Sequence, residues 1–283
     1  MMVTYPCPTR RQGNGNLSMR YLSFLVIMVG YLTITGSVAS SLGMLSQNQC
    51  QRLLQPIDPA NPTALNPAVA IDELLVVCEQ AFAAEPDDPE HQYGYARALM
   101  LIQDHSTALQ TLNRAAAQGH SGARFQLGLA QLHGRGGVPA DPSTAVVWLR
   151  RAAEQDYAPA AYQLAEEYAI GATLPRDPES AAYWLQQAAS QHYPPAQYAL
   201  GLAYRDGRGV KQSNQHALRW LTRSARQNWP AAQYVLAMEY FHGAIVSPDF
   251  SQALAWLQRA ADNGYTAAER GFFADEICEL TQP

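Results

Sequence analysis

Lysine is almost missing from this chain, and its positive charge is nowhere concentrated. Of 19 basic residues among 283, only Lys211 is a lysine, and the formal net charge is −5. Domains that bind nucleic acid cluster arginine and lysine on one face, whereas the arginines here are dispersed. A basic amphipathic helix suited to an anionic membrane is also lacking. The charge pattern argues against nucleic acid, and against a membrane surface beyond the N-terminal segment.

Motifs that carry chemistry are absent as well. The sequence contains no H-E-x-x-H, C-x-x-C or G-x-S-x-G pattern. Its glycine-rich turns, such as the one at Gly207, lack the Lys-Ser/Thr pair of a phosphate loop. His133 and His242 recur at one place of a repeat, but Ile170 and Asp206 hold that place in the other copies. A row of metal ligands is therefore not expected, and we predict no catalytic residue, no cofactor and no metal site.

The N-terminal segment has no acidic residue in its first 57 positions. Arginines precede an apolar run over residues 21–36, and small residues follow as far as Ala39. This order predicts a signal peptide over residues 1–39, or over a shorter stretch from Met19 if residues 1–18 are an upstream mis-start. The alternative is an uncleaved anchor, although the run is near the lower length limit for a membrane span. We expect a periplasmic or secreted bacterial protein, or else one anchored in the inner membrane.

Tryptophan is rare, yet four of the five tryptophans are spaced 36 residues apart: Trp148, Trp184, Trp220 and Trp256. An alanine three residues before each one and an aromatic residue nine residues after it keep the same interval. Such a period indicates a tandem array of stacked supersecondary units. We predict a structural role for the four indoles, wedged between repeats, because an aromatic side chain buries roughly 150–250 Å².

The unit at residues 194–229 shows what one repeat contains. Leu200 and Tyr204 belong to a stripe of small and apolar residues at helical spacing. Gly207 then breaks the helix, and Trp220 lies on the apolar face of a second amphipathic helix. The pattern predicts two-helix repeats at residues 121–157, 158–193, 194–229 and 230–265.

The motif A-x-x-x-L-G-x-x-Y-x-x-G-x-G-V, followed by A-x-x-W-L-x-x-A-A, resembles the Sel-one-like repeat, a relative of the tetratricopeptide repeat. The resemblance spans residues 121–265 and implies an all-α, right-handed α-solenoid that holds other proteins. Ala165 and Ala237 replace the motif's first glycine. Thr173 and Ile245 replace a glycine of the glycine-rich turn in units 2 and 4, so the sequence does not determine the backbone geometry of those two turns.

The flanks of the array differ from it. Residues 40–68 are proline-rich towards their end and predict an extended linker. Residues 69–120 resemble an ordinary tetratricopeptide unit, with Pro86 and Pro89 ending its first helix. Residues 266–283 are predicted to form a capping helix over the last apolar face.

Cysteine is scarce, with four residues in the whole chain. In an oxidising compartment Cys50 and Cys78 could form a disulfide that fixes the linker to the array. The residues around this pair resemble the leader of some exported bacterial Sel-one-like proteins, which favours the bridge. The alternative is two unrelated thiols.

The first helix of each repeat carries the candidate partner-binding residues. In two-helix repeats these helices line the concave wall, and an apolar groove there accepts an extended peptide or a helix. The alternative is that the aromatic members simply pack between units, which leaves their variable neighbours to set specificity. The predicted set is Phe125, Leu129, Leu132, Tyr162, Glu166, Tyr198, Leu202, Arg205, Tyr234, Met238 and Phe241.

These observations predict a monomeric, non-enzymatic adaptor for a protein or peptide partner in the bacterial cell envelope. One alternative is an envelope enzyme or enzyme regulator, since beta-lactam hydrolysis has been ascribed to cysteine-rich relatives; the repeats here have no internal cysteine pairs. A second alternative is a purely structural spacer in an envelope complex.

Overall fold

The computed structural model describes residues 49–54 and 71–265, and within these two ranges every regular element is helical. Residues 49–54 form a short helical segment. Eleven further helices follow: α1 Ile71–Ala84, α2 Pro89–Leu101, α3 His105–Ala117, α4 Ser121–His133, α5 Pro142–Ala153, α6 Ala158–Ile170, α7 Pro178–Ser190, α8 Pro194–Asp206, α9 Asn214–Arg226, α10 Pro230–His242 and α11 Phe250–Asp262. The helix pairs α4–α5, α6–α7, α8–α9 and α10–α11 confirm the predicted two-helix repeats, which we call units 1 to 4.

The same kinds of residue end the first helix and begin the second helix in every unit. The first helix of every unit ends at a glycine in the left-handed region, Gly134, Gly171, Gly207 or Gly243, with φ between 64° and 77°. The second helix begins after a capping side chain that accepts backbone N–H groups, Asp141, Asp177, Ser213 or Asp249. In units 2 and 4, Thr173 and Ile245 replace the second turn glycine, and their φ is not positive, unlike that of Gly136 and Gly209 at the same position in units 1 and 3. The path of the turn therefore differs between the two kinds of unit. The helix boundaries nevertheless keep their spacing.

Packing runs along the chain, because each helix contacts mainly the helix before it and the helix after it. The stack forms an α-solenoid in which no unit buries its apolar face alone. Its fully buried row consists of leucines, with Leu164, Leu200, Leu221 and Leu236 all at 0% exposure. The tryptophans also pack on clusters shared between units, but three are only half-buried, and Trp256 alone reaches 8% exposure. The most deeply buried side chains between the units are thus leucines, and the tryptophans are less buried than predicted.

Buried amides join successive units. Gln197 is fully buried and its Nε2 donates to the carbonyl of Ala189 at 3.1 Å, while its Oε1 accepts from Gln227 at 2.7 Å. Gln233 repeats this arrangement one unit later, towards the carbonyl of Ala225 and the amide of Asn263. Each side chain adds a donor to a carbonyl in the last turn of the preceding helix, which also accepts a backbone N–H from the turn that follows.

The N-terminal part departs from the prediction of an extended linker. Residues 49–54 are helical, and Cys50 and Leu54 are buried against α1 and α2. Cys50 and Cys78 are joined by a disulfide, and Arg97 donates to the carbonyl of Leu54 at 3.3 Å. The first helix ends at Ala84, ahead of Pro86 and Pro89 as predicted. Pro89 then opens α2, where its fixed φ and missing N–H suit the first turn.

Removing the disulfide with Cys50→Ala and Cys78→Ala should destabilise only the start of the stack. The bridge closes a loop with a sequence separation of 28, and a native disulfide of this kind contributes about 2–4 kcal/mol. All five tryptophans lie at or beyond Trp148, so the urea transition followed by their fluorescence should barely move. Amide hydrogen exchange in α1 and α2 should accelerate. An equal loss of protection throughout units 1 to 4 would contradict local stabilisation.

Some predictions fall on residues outside the described ranges. These are the signal peptide over residues 1–39, most of the linker, and the capping helix at residues 266–283. They stay predictions.

Candidate functional site

In units 1, 2 and 4, the aromatic residue of the first helix pairs with the aromatic residue that ends the unit. Ring centroids are 5.5 Å apart for Phe125 and Tyr157, 5.7 Å for Tyr162 and Tyr193, and 4.5 Å for Tyr234 and Tyr265. The helical pair before unit 1 repeats the arrangement with Tyr93 and His120, at 4.4 Å. Aromatic pairs at such distances stabilise packing beyond their buried area. Each of these rings therefore packs within the stack, between the first helix of a unit and the residue that ends the same unit.

Burial divides the predicted partner-binding residues into two sets. Phe125 is 0% exposed and Leu129 is 5% exposed, so neither side chain is accessible to a partner, and both are removed from the candidate surface. The other nine residues are half-buried, which leaves part of each side chain open to contact. We call these nine the groove set: Leu132, Tyr162, Glu166, Tyr198, Leu202, Arg205, Tyr234, Met238 and Phe241.

The groove set is polar at unit 2. The Tyr162 hydroxyl donates to Glu166 Oε1 at 2.8 Å. Burial raises the pKa of Glu166 and outweighs the opposing effect of that hydrogen bond, and the nearby Glu167 raises it further. A partially desolvated carboxylate is stabilised by a donor or a cation supplied from outside. This end of the groove set therefore suits a polar or basic group.

A salt bridge from Arg205, a member of the groove set, joins unit 3 to unit 4. Arg205 Nη1 lies 3.3 Å from Glu239 Oε1, and Arg205 Nε lies 2.8 Å from Asp206 Oδ1. The hydrogen bond from Arg205 lowers the pKa of Asp206, and Arg208 adds to the effect. The Glu239 side chain is 7% exposed. Arg205 thus neutralises a buried carboxylate of the next unit, a role that its sequence position did not reveal.

Apolar side chains continue the groove set through unit 4. Leu202, Met238 and Phe241 pack against the core cluster built from α9 to α11 while remaining partly open. Phe241 also meets Phe250 edge-on at 5.6 Å. The surface therefore passes from a carboxylate at unit 2 to a methionine and phenylalanine patch at unit 4.

A second row of contacts was missed by the sequence analysis. On the second helices, a guanidinium lies over three of the indoles: Arg151 over Trp148 at 5.6 Å, Arg223 over Trp220 at 4.7 Å, and Arg259 over Trp256 at 4.7 Å. Each arginine follows its tryptophan by three residues, one turn along the helix. These arginines recur at the same place of units 1, 3 and 4, with Gln187 at that place in unit 2, and this recurrence was a signal that the sequence offered.

Two other polar clusters are explained by helix capping. Glu85, Asp88 and His91 bring ligand-type atoms within 4.8 Å of one another, but Asp88 caps α2 by accepting the N–H groups of Glu90 and His91. Ser213 Oγ lies 2.8 Å from His216 Nδ1 beside an open depression of about 440 Å³. Ser213 is the N-cap of α9, so its oxygen is engaged in the cap rather than set up as a nucleophile.

The fold defines a tandem two-helix-repeat solenoid, and the groove set follows its successive first helices. None of the helices in residues 49–54 and 71–265 has both the length and the apolarity needed to cross a bilayer. The Sel1 repeat matches residues 121–157, 158–193, 194–229 and 230–265, which are the four units, and a tetratricopeptide repeat matches residues 72–132. The chain belongs to the Sel1 repeat family. Among curated proteins, none matches the chain significantly.

Solved structures share the architecture. The protective antigen c5321 of uropathogenic Escherichia coli superposes with a TM-score of 0.68 at 24% identity, over 86% of this chain and 51% of that protein. A Sel1 repeat protein of Oxalobacter formigenes gives 0.54 at 28% identity, over 87% and 66%. The immunity protein Pa5087 of Pseudomonas aeruginosa gives 0.53 at 16% identity, over 79% and 82%. The chain therefore spans about half of the first of these proteins and two thirds of the second.

Proposed function

We propose that this protein is a non-enzymatic adaptor that binds a protein or peptide segment along the groove set. Sel1 and tetratricopeptide repeat folds generally serve as scaffolds for protein–protein interaction. The observation that carries the proposal is the composition of the groove set, whose side chains are half-buried and differ from unit to unit. Half-buried side chains are already ordered by their neighbours, so binding costs less side-chain entropy than at a flexible surface.

The groove set favours an extended or helical segment over a small ligand. Its members follow one another along successive first helices rather than converging on an enclosed cavity, which a small-molecule site requires. A carboxylate at Glu166 and the apolar side chains of Met238 and Phe241 lie in different units. A partner that satisfies both must therefore run along the stack.

We place the protein in the bacterial cell envelope, in the periplasm or beyond. The arginine-flanked apolar run over residues 21–36 supports export, and so does the disulfide between Cys50 and Cys78, because disulfides persist in oxidising compartments. Recovery of the intact disulfide in protein isolated by osmotic shock from the host would support this location.

Met238→Arg and Leu202→Glu should each abolish partner binding while the stack stays folded. Both side chains are half-buried in the groove set, and an added charge there must be desolvated when a partner docks. Ala255→Arg is the matched control, since Ala255 lies exposed on α11 of the same unit and Arg219 holds its place in unit 3. The measurement is pull-down from a host envelope extract, with circular dichroism to verify folding.

The control variant should retain the partners of the unmodified protein, and the two groove variants should lose them. An identical partner set in all four proteins would remove the groove set as the binding surface.

A further inference from the structure

The second helix of unit 2 breaks the row of arginines that covers the indoles. Gln187 stands where the other units have Arg151, Arg223 and Arg259. In the part of the chain that the structure describes, no guanidinium lies over Trp184. Trp184 is half-buried, so part of its ring faces outward.

Two further differences fall on the same stripe of α7. Glu179, Tyr183 and Gln187 lie four residues apart and share one face of the helix; we call them the outer stripe. The corresponding stripes are Ser143, Val147 and Arg151 in unit 1, Gln215, Arg219 and Arg223 in unit 3, and Ser251, Ala255 and Arg259 in unit 4. Those three stripes are basic, whereas the outer stripe of unit 2 is acidic and aromatic.

The rings of Tyr183 and Trp184 form an exposed corner on α7, and Glu179 lies one helical turn before Tyr183. Their centroids are 5.1 Å apart with planes at 76°, and Tyr183 is 53% exposed, the second most exposed of the large hydrophobic side chains in the described ranges. A second carboxylate lies past the C-terminal end of α7, where Gln191 Nε2 donates to Asp156 Oδ1 at 3.5 Å. The helix that carries the two rings therefore has a carboxylate near each of its ends.

We propose that the outer stripe of unit 2, with Trp184, binds an arginine side chain of a partner protein. Three equivalent positions of this molecule already hold a guanidinium over the indole, at 4.7–5.6 Å, so the helix geometry accepts that group. A cation over an aromatic face is attracted by the ring quadrupole. Glu179, one turn before Tyr183 on the same stripe, adds a negative charge to this helix face where Ser143, Gln215 and Ser251 carry none. The site lies on the second helices and is separate from the groove set.

The test uses the complete chain labelled with ¹⁵N on its tryptophan indoles, which gives five resonances. N-acetyl-L-argininamide should shift the Trp184 resonance saturably and leave the other four unchanged. N-acetyl-citrullinamide, which is neutral and similar in shape, should not. Gln187→Arg should weaken the binding of the arginine probe about tenfold, because the chain's own guanidinium takes the position. The Met238→Arg variant should respond like the unmodified protein, which keeps this result independent of the proposed groove.

Gln187→Arg could weaken probe binding indirectly by disturbing α7, so a second variant tests whether the outer stripe creates a binding site elsewhere in the protein. Gln215→Glu, Arg219→Tyr and Arg223→Gln together transplant the outer stripe into unit 3, and Trp220 should then respond to the arginine probe. No saturable shift at Trp184, equal shifts at all five indoles, or an unchanged response in Gln187→Arg would each overturn the proposal.

Discussion

Leu200→Ala is expected to cost about 3–5 kcal/mol of unfolding free energy, since a fully buried leucine leaves a cavity that a close-packed stack fills only in part. Leu200 is 0% exposed and belongs to the cluster that joins units 1 to 3. Its loss removes contacts that join unit 3 to the preceding units. In a quasi-one-dimensional stack, this weakens the interface on which the later units depend.

Leu202→Ala is the matched control, on the same helix and with the same chemistry. Leu202 is half-buried in the groove set, so its truncation should cost about 1 kcal/mol, near the average for point substitutions. Urea titrations followed by tryptophan fluorescence measure both values. Equal losses in the two variants would mean that the leucine row is not the core of the stack.

Gly209→Ala is expected to destabilise the array by about 3–5 kcal/mol, through strain and collision together. Gly209 has a φ of 68°, which disfavours any side chain, and a Cβ there would collide with the carbonyl of Pro178 at the start of α7. The turn of unit 3 rests directly on the second helix of unit 2. Neither backbone can give way without moving a helix end.

Gly137→Ala is the control that separates backbone strain from steric collision. Gly137 has a φ of 81° in the longer turn of unit 1, but nothing lies within 4 Å of a Cβ placed on it. This variant should therefore cost only about 1–2 kcal/mol of backbone strain. Thermal unfolding of the two variants measures the difference, and equal transition temperatures would contradict a close contact between turn and helix.

The repeat boundaries were predictable because several residues recur in step and each has a separate physical cause. The tryptophans keep the 36-residue interval, the turn glycines and small helix residues keep it after a first step of 37, and each predicted unit contains one pair of helices. Which apolar residue lies deepest was not predictable. Leu221 is fully buried while its neighbour Trp220 is half-buried, because an indole at the edge of the interface can pack and still be covered by Arg223.

The candidate surface was predictable only in part. Periodicity placed the first-helix residues on shared faces, but it did not show that Tyr162 and Tyr234 pair with aromatic residues at the unit ends. It also missed the salt bridge from Arg205 to Glu239, because ion pairs between successive helices depend on stacking geometry. The helical segment at residues 49–54 was hidden by the prolines that follow it.

Site-specific photocrosslinking in the host tests the central claim most directly. A benzoylphenylalanine placed at Met238 or Leu202 faces the groove set, whereas one placed at Ala255 lies exposed on the second helix of unit 4. We predict one adduct of the same partner from both groove positions and none from Ala255. An adduct from Ala255 with none from either groove position would contradict binding along the first helices.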